Sequence, residues 1–157
     1  MIDTFAAVVA TAVATACALA AVCWWDWRWL RVPNWLNGMA FATSCLVAMQ
    51  PTHSLRTGLI GAFTWFAIYW LIASIKPGAF GGGDIKLAAS TGLLSSMSAS
   101  SAVPGIANAL AGIVGAAVVT LLFAAFVPDG RKRRSLKHPV PHGPAMVISA
   151  LVVWLLL

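Results

Sequence analysis

The chain is almost without acid. Of its 157 residues four are Asp and none is Glu, against ten Lys and Arg and a formal net charge of +6. Charged residues of either sign make up only 9% of the chain, while hydrophobic ones make up 61% and the mean hydropathy is +0.88. A soluble domain of this length cannot hide so much apolar surface, so the composition excludes an ordinary water-soluble globule and points to an integral membrane protein. The length suits one compact helical bundle, a single membrane-embedded domain over residues 1–157. Cysteine is scarce as well. Cys17, Cys23 and Cys45 lie in apolar stretches without CxxC spacing, which speaks against a zinc site or a disulfide framework and leaves them as small packing residues. No metal and no cofactor is expected. The N-terminus lacks the basic cluster of a cleavable signal, so its first apolar segment reads as a retained helix.

What is present in quantity is apolar sequence in runs. They predict an all-α polytopic bundle of about six transmembrane helices, near residues 4–25, 35–49, 57–75, 87–102, 105–127 and 144–157. The second and sixth are short against the roughly 20 residues that a bilayer crossing needs. The fourth is short and Ser-rich, as expected of a tilted or partly buried helix, and five crossings is the alternative count. In the fifth segment Ala107, Ala111 and Gly115 recur every four residues, a stripe expected to admit another helix closely.

Positive charge sets the orientation. Arg28 and Arg31, then Lys76 and Lys86, then Arg131, Lys132, Arg133, Arg134 and Lys137 fall in loops that six spans place on one side, with Arg56 alone opposite. Basic loops face the cytoplasm, which puts both termini on the far side. The 131–134 run reads as an anchor to anionic lipid. Nucleic acid is not an expected partner, because no continuous basic surface exists outside these short loops.

Against this background two acids stand in costly places. Asp26 ends the first apolar run, among Trp24, Trp25, Trp27, Trp29 and Trp35, which read as an interfacial aromatic belt. Asp84 follows Gly81, Gly82 and Gly83 and leads into the fourth run. An ionisable group inside or beside a membrane segment is a functional hypothesis by default. Two crossings separate the pair, so both carboxyls are expected at one face and one depth. Neighbouring carboxylates share a proton, and such a dyad can deprotonate water with one member and protonate a carbonyl with the other. The three glycines resist helix formation and are expected to leave extended backbone ahead of Asp84, against which an unwound substrate strand could pair. Simpler readings stand beside these: Asp26 as an interfacial acid paired with Arg28 or Arg31, and Asp84 as a helix cap after a plain turn. His138 and His142 read as solvent-facing or capping groups. A small ion-coupled transporter, with Asp26 and Asp84 as proton or cation sites, is the rival function, and a non-catalytic assembly factor is a third.

Three blocks carry a family likeness. Asp26, Arg28, Arg31, Val32, Pro33 and Asn34 form the first; Gly81, Gly82, Gly83, Asp84 and Lys86 form the second; Pro141, Gly143 and Pro144 form the third. In order and spacing they resemble the type IV prepilin peptidases, a branch of the GxGD intramembrane aspartyl proteases. The resemblance implies that Asp26 and Asp84 are the catalytic pair. It further implies a prepilin or pilin-like precursor as substrate, cut where a basic leader meets an apolar helix at the cytoplasmic boundary of a bacterial inner membrane. Gly81, Gly82 and Gly83 are expected to shape the substrate groove, and Lys86 to bind there by attracting an acidic residue of the substrate or to steady the Asp84 region, with plain lipid-headgroup contact as the simpler reading. Longer members carry a cytoplasmic segment with paired CxxC motifs and N-methyltransferase activity. Here the loop after the first segment is short and has no Cys, so methylation is not expected. The short form resembles the CpaA/TadV-type peptidases that serve Flp pili of the tight-adherence system.

Overall fold

A computed structural model describes residues 2–126 and 141–157, without the side chains of 2–4 and 126. The basic run at 131–134, Lys137 and His138 lie outside the described residues, so the expectations placed on them are not addressed by it.

The described residues form helices and their connections: α1 (Ile2–Trp29), α2 (Asn34–Ala48), α3 (Leu55–Ile75), α4 (Gly82–Ser96), α5 (Ala102–Phe126) and α6 (Gly143–Leu156). One helix answers to each apolar run. Three of them are long and apolar enough to cross a membrane: Phe5–Trp29, Leu55–Ile75 and Ala102–Ala125. The other three hold 15, 15 and 14 residues. At 1.5 Å per residue these reach about 21–23 Å, short of a hydrocarbon core of about 30 Å. Six full crossings are therefore not what the helix lengths show.

Helix α4 explains how a short helix serves here. It packs against α2, α3, α5 and α6 at once, and nine of its fifteen residues are buried. Most of its inward hydroxyls are satisfied: Thr91 donates to the Leu87 carbonyl at 3.2 Å, Ser95 to Gly92 at 3.0 Å and Ser96 to Gly105 of the α4–α5 approach at 2.8 Å, while the buried Ser90 hydroxyl has no partner among the described residues. A helix covered by protein on every side has no need to match the bilayer, and buried polar groups are as a rule paired.

Small residues bring these helices together. Gly61 of α3 faces Gly92 and Ser96 of α4 so closely that a Cβ on either glycine would run into the opposite chain. Gly112 of α5 receives the ring of the fully buried Trp65, whose Cζ3 would lie 2.5 Å from an added Cβ. The contact line on α5 is not the expected one. Ala107 and Ala111 are exposed, whereas Gly105, Ala109, Gly112 and Ala116 are buried; of the expected stripe only Gly115 packs tightly, against Ser149 of α6. A strict four-residue step advances 40° per repeat on a helix of 3.6 residues per turn, so alternating steps of four and three hold one face and a pure four-step drifts off it.

The connections place the ends. Helix α1 continues to Trp29, past the expected boundary at residue 25, and stops where Leu30 takes a left-handed conformation (φ 52°) while its N–H closes the last turn on the Asp26 carbonyl at 2.8 Å. At one end of the bundle lie the C-terminus of α1 and the N-termini of α2, α4 and α6. The other end is tied by the Ser54 N–H on the Met97 carbonyl at 2.8 Å and by His53, whose ring lies 6.0 Å from that of Trp154.

The α3–α4 approach sets the first test. Gly92→Val places branched carbons where the Gly61 backbone lies, and should lower stability by about 3 kcal/mol or more. Thermal unfolding in detergent reads it; an unchanged midpoint would refute the close approach.

Candidate active site

The three sequence blocks meet at one end of the bundle. Asp26, in the last turn of α1, is only 5% exposed although Trp24, Trp27 and Trp29 around it stand outward. Its Oδ2 accepts the Gly143 N–H at 2.9 Å, and the His142 N–H adds a second backbone donor. These are first-turn groups of α6, which have no partner inside their own helix and carry the positive end of its dipole. The approach needs glycine: a Cβ at residue 143 would lie 2.9 Å from the Asp26 Oδ2 and 3.3 Å from its Cγ. Arg28 and Arg31 are exposed, so the Asp26 carboxyl is held by α6 and not by the basic residues beside it in sequence.

Asp84 is the third residue of α4 and half-buried. Its Oδ2 accepts the Gly81 N–H at 3.2 Å while its own N–H donates to the Gly81 carbonyl at 3.0 Å, a closed first turn. Asp84 is thus not the N-cap weighed for it, a position that Gly81 holds, but the third helical residue whose carboxyl reaches back to the cap. The expected extended run of three glycines is not found either. Gly81 alone is extended (φ −69°, ψ 148°), and Gly82 and Gly83 already belong to α4. A carboxyl three residues into the helix captures the free Gly81 N–H, which favours winding that glycines alone would not sustain.

The first block braces this turn from outside. A Cβ on Gly83 would meet the Val32 Cβ and N at 3.3 Å, and the buried Asn37 donates from Nδ2 to the Gly83 carbonyl at 3.2 Å. Lys86 Nζ donates to Asn34 Oδ1 at 2.6 Å, so Lys86 secures α4 against the start of α2. Pro33 sits in extended backbone ahead of α2, and its carbonyl accepts the Leu36 and Asn37 N–H groups.

Electrostatically the two acids sense each other. Asp84 precedes the apolar part of α4, which begins at Leu87; burial first, and then the charge of Asp26, push its carboxyl up to about 6. That is the behaviour of neighbouring carboxyls in a partly dry setting, and it favours one proton between the two. Among the described residues no three His, Cys, Asp or Glu side chains converge to hold a metal ion.

Sequence reasoning missed an adjoining polar cluster. Tyr69 of α3, 2% exposed, places its hydroxyl 2.8 Å from His142 Nε2, and Thr120 of α5 lies 2.6 Å from His142 Nδ1. The Phe80 ring stacks on Tyr69 at 4.1 Å and 12°. His142 was expected to be solvent-facing or to cap; it does hold the N-cap position of α6, its carbonyl accepting the Met146 N–H at 3.1 Å, but its side chain turns inward, half-buried, rather than capping, and burial lowers its pKa to about 4, so it is neutral at pH 7. Two signals pointed here: His142 sits inside the third block, and Tyr69 is the one tyrosine of the chain, placed in an apolar helix where its hydroxyl requires a partner.

Comparison with known proteins adds to this geometry. The profile of the type IV leader peptidase family matches residues 13–157. The prepilin leader peptidase/N-methyltransferase of Bacillus subtilis (strain 168) is 30% identical over 134 residues, 83% of this chain and 49% of that protein. The chain thus spans about half the length of this curated relative. No solved structure matches it.

Two expectations follow from the contacts. Gly143→Ala should press on the Asp26 carboxyl and cost about 2 kcal/mol, measured as a lower unfolding midpoint; a midpoint equal to the wild type would mean that α6 does not approach Asp26 this closely. The second concerns pH. Because the folded state holds the Asp84 proton up to about 6 against an ordinary value of 3.8, ionisation of Asp84 works against the fold, and its contribution falls as pH rises through that interval. His142 has the opposite sign, with stability lost as pH falls from its ordinary 6.5 toward about 4. The difference between wild type and Asp84→Asn isolates the first effect. The variant should gain relative stability steadily from about pH 4 to about pH 7, and a pH-independent difference would contradict the assignment.

Proposed function

Because the chain belongs to the type IV leader peptidase family, we propose that it is an aspartic endopeptidase that removes the basic leader from prepilin or pilin-like precursors. Asp26 and Asp84 form its catalytic pair. The observation that carries this reading is that two otherwise isolated carboxyls lie at one end of the bundle, each fastened to a helix N-terminus, with the charge of Asp26 felt by Asp84. One member takes a proton from water, the resulting hydroxide adds to the scissile carbonyl carbon, and the other member protonates the carbonyl oxygen. As the tetrahedral adduct collapses, one of its hydroxyls returns a proton to the ionised carboxylate, the C–N bond breaks, and the protonated carboxyl gives its proton to the leaving amine, so the pair again holds one proton.

The substrate side of the proposal follows from where the acids sit. A basic leader joined to an apolar helix presents its junction at a membrane boundary, and Asp26 lies three residues from the end of α1 while Asp84 lies in the first turn of α4. Exposed Gly81 and Gly82 offer backbone to an extended strand, and Trp24, Trp27, Trp29 and Trp35 provide an interfacial belt at the same level. The proposed orientation is multi-pass in a bacterial inner membrane, with this end toward the cytoplasm and the basic loops on anionic lipid. Precursors of the Flp type, processed in tight-adherence systems, are the proposed class. Cleavage without methylation is proposed as well, since residues 30–33 are all that joins α1 to α2. An ion-coupled transporter would carry its acids near the middle of its helices, which neither of these does.

Asp26→Asn and Asp84→Asn should each reduce leader removal by at least about a thousandfold while leaving membrane insertion intact. Co-expression with a precursor and sizing of the product measures this. Normal processing by either variant would remove that residue from the mechanism.

A further inference from the structure

The third block supplies more than the start of a helix. Pro144 has no N–H, so the backbone donors that reach Asp26 are those of Gly143 and His142 alone. Their aim depends on where the His142 ring is fixed, and one assignment of protons satisfies every group of the network around it. The Thr120 hydroxyl donates to the Ala116 carbonyl at 2.8 Å, which leaves its oxygen to accept from His142 Nδ1 at 2.6 Å. A neutral imidazole protonated at Nδ1 presents Nε2 as an acceptor, and the Tyr69 hydroxyl donates to it at 2.8 Å. Every hydroxyl and both ring nitrogens are then used. Such a buried chain of directed bonds holds one geometry.

Tyr69 reaches the other acid too. Its ring stacks face to face on Phe80, the residue immediately before Gly81, and the Gly81 N–H holds the Asp84 carboxyl. The His142 ring lies 5.6 Å from Phe80 and 5.8 Å from Tyr69, so the three rings form one pile between the Asp26 mount and the Asp84 mount. We propose that Tyr69 and His142 are positioning residues, a strut that sets the separation of the two carboxyls by bracing His142–Gly143 on one side and Phe80–Gly81 on the other. Neither side chain has to touch substrate for this. The inference rests on the reading of Asp26 and Asp84 as the catalytic pair.

The test uses the full chain in detergent with a precursor peptide. Tyr69→Phe keeps the stack and removes the donor; His142→Phe keeps the ring and removes both bonds; His142→Gln keeps one donor and one acceptor. Displacing a catalytic group by a fraction of an ångström to an ångström costs about ten- to a hundredfold. Tyr69→Phe and His142→Phe should each lower kcat by about tenfold or more at unchanged KM. The double variant should be no worse than the poorer single one, and His142→Gln should recover most of the rate. Unchanged kcat in both single variants, or losses that appear in KM or follow a lowered melting temperature, would overturn the strut. A second measurement does not depend on cleavage. With Cys17, Cys23 and Cys45 replaced by Ala, the combined Asp26→Cys and Asp84→Cys substitutions are oxidised and disulfide formation is timed. Adding His142→Phe should slow coupling several-fold, and equal coupling with and without it would overturn the proposal. Failure of the wild-type chain to cleave any precursor, with coupling still sensitive to His142, would count against the peptidase reading and for the strut.

Discussion

The bond from the Gly143 N–H to the Asp26 carboxyl governs the arrangement around it. A buried carboxyl is costly unless its oxygens are hydrogen-bonded, and Asp26 is 5% exposed with no basic side chain among the described residues holding it. The first turn of a helix supplies N–H groups that need an acceptor, so the two deficits cancel at one contact between helices 117 residues apart in sequence. That contact has requirements. Residue 143 must be glycine for the carboxyl to approach, and α1 must stay helical through Asp26 so that the side chain turns inward while Trp24 and Trp27 turn out. The left-handed turn at Leu30 then releases the chain at once into the Val32–Pro33–Asn34 segment that braces α4.

Enclosure of α4 is the complementary constraint. Its first turn carries Asp84, and its body is wrapped by four other helices, so the acid is presented from a rigid element rather than a loop. Glycines at 61, 92 and 112 let the neighbours come near enough for that wrapping, and Trp65 fills the space that Gly112 leaves. Of the two acids, Asp26 sits on a helix long enough to cross a bilayer and Asp84 on a short one, and both lie at the same end of the bundle. In a protein with so few charges, the positions of two acids are set by helix ends and packing and not by ion pairing.

Much of this was legible in the residues. Apolar runs located each helix, because hydrophobicity in a membrane protein is continuous and needs no partner to be read. Asp26 and Asp84 stood out because acids are rare here, and counting crossings put them at one face without knowledge of any contact. What could not be read were features fixed by packing. Gly82 and Gly83 look like helix breakers until Asp84 closes the turn on Gly81. The stripe of Ala107, Ala111 and Gly115 has the right spacing but the wrong phase, since nothing in α5 itself says which face meets α4 and Trp65. His142 looked like a loop residue because its partners, Tyr69 and Thr120, are 73 and 22 positions away. The shortness of the second, fourth and sixth helices was legible too, and the Ser-rich fourth run already hinted at burial, but the four helices that surround it are fixed only by packing.

The asymmetry of the two acids gives the proposed chemistry a direction. Asp26 is buried under the first turn of α6, with its donors on the inner side, while Asp84 is half-buried and opens toward exposed Gly81 and Gly82. Water and an extended strand would therefore arrive from the Asp84 side, where backbone is free to pair, and Asp26 would act from behind as the fixed member. Burial and the neighbouring charge raise the Asp84 carboxyl to about 6, so in the proposed reaction Asp84 would be the member that offers a proton to an incoming carbonyl. A rigid inner acid and a more accessible, proton-holding outer one divide the labour that hydrolysis requires. In this fold the division arises from which helix end each carboxyl happens to cap.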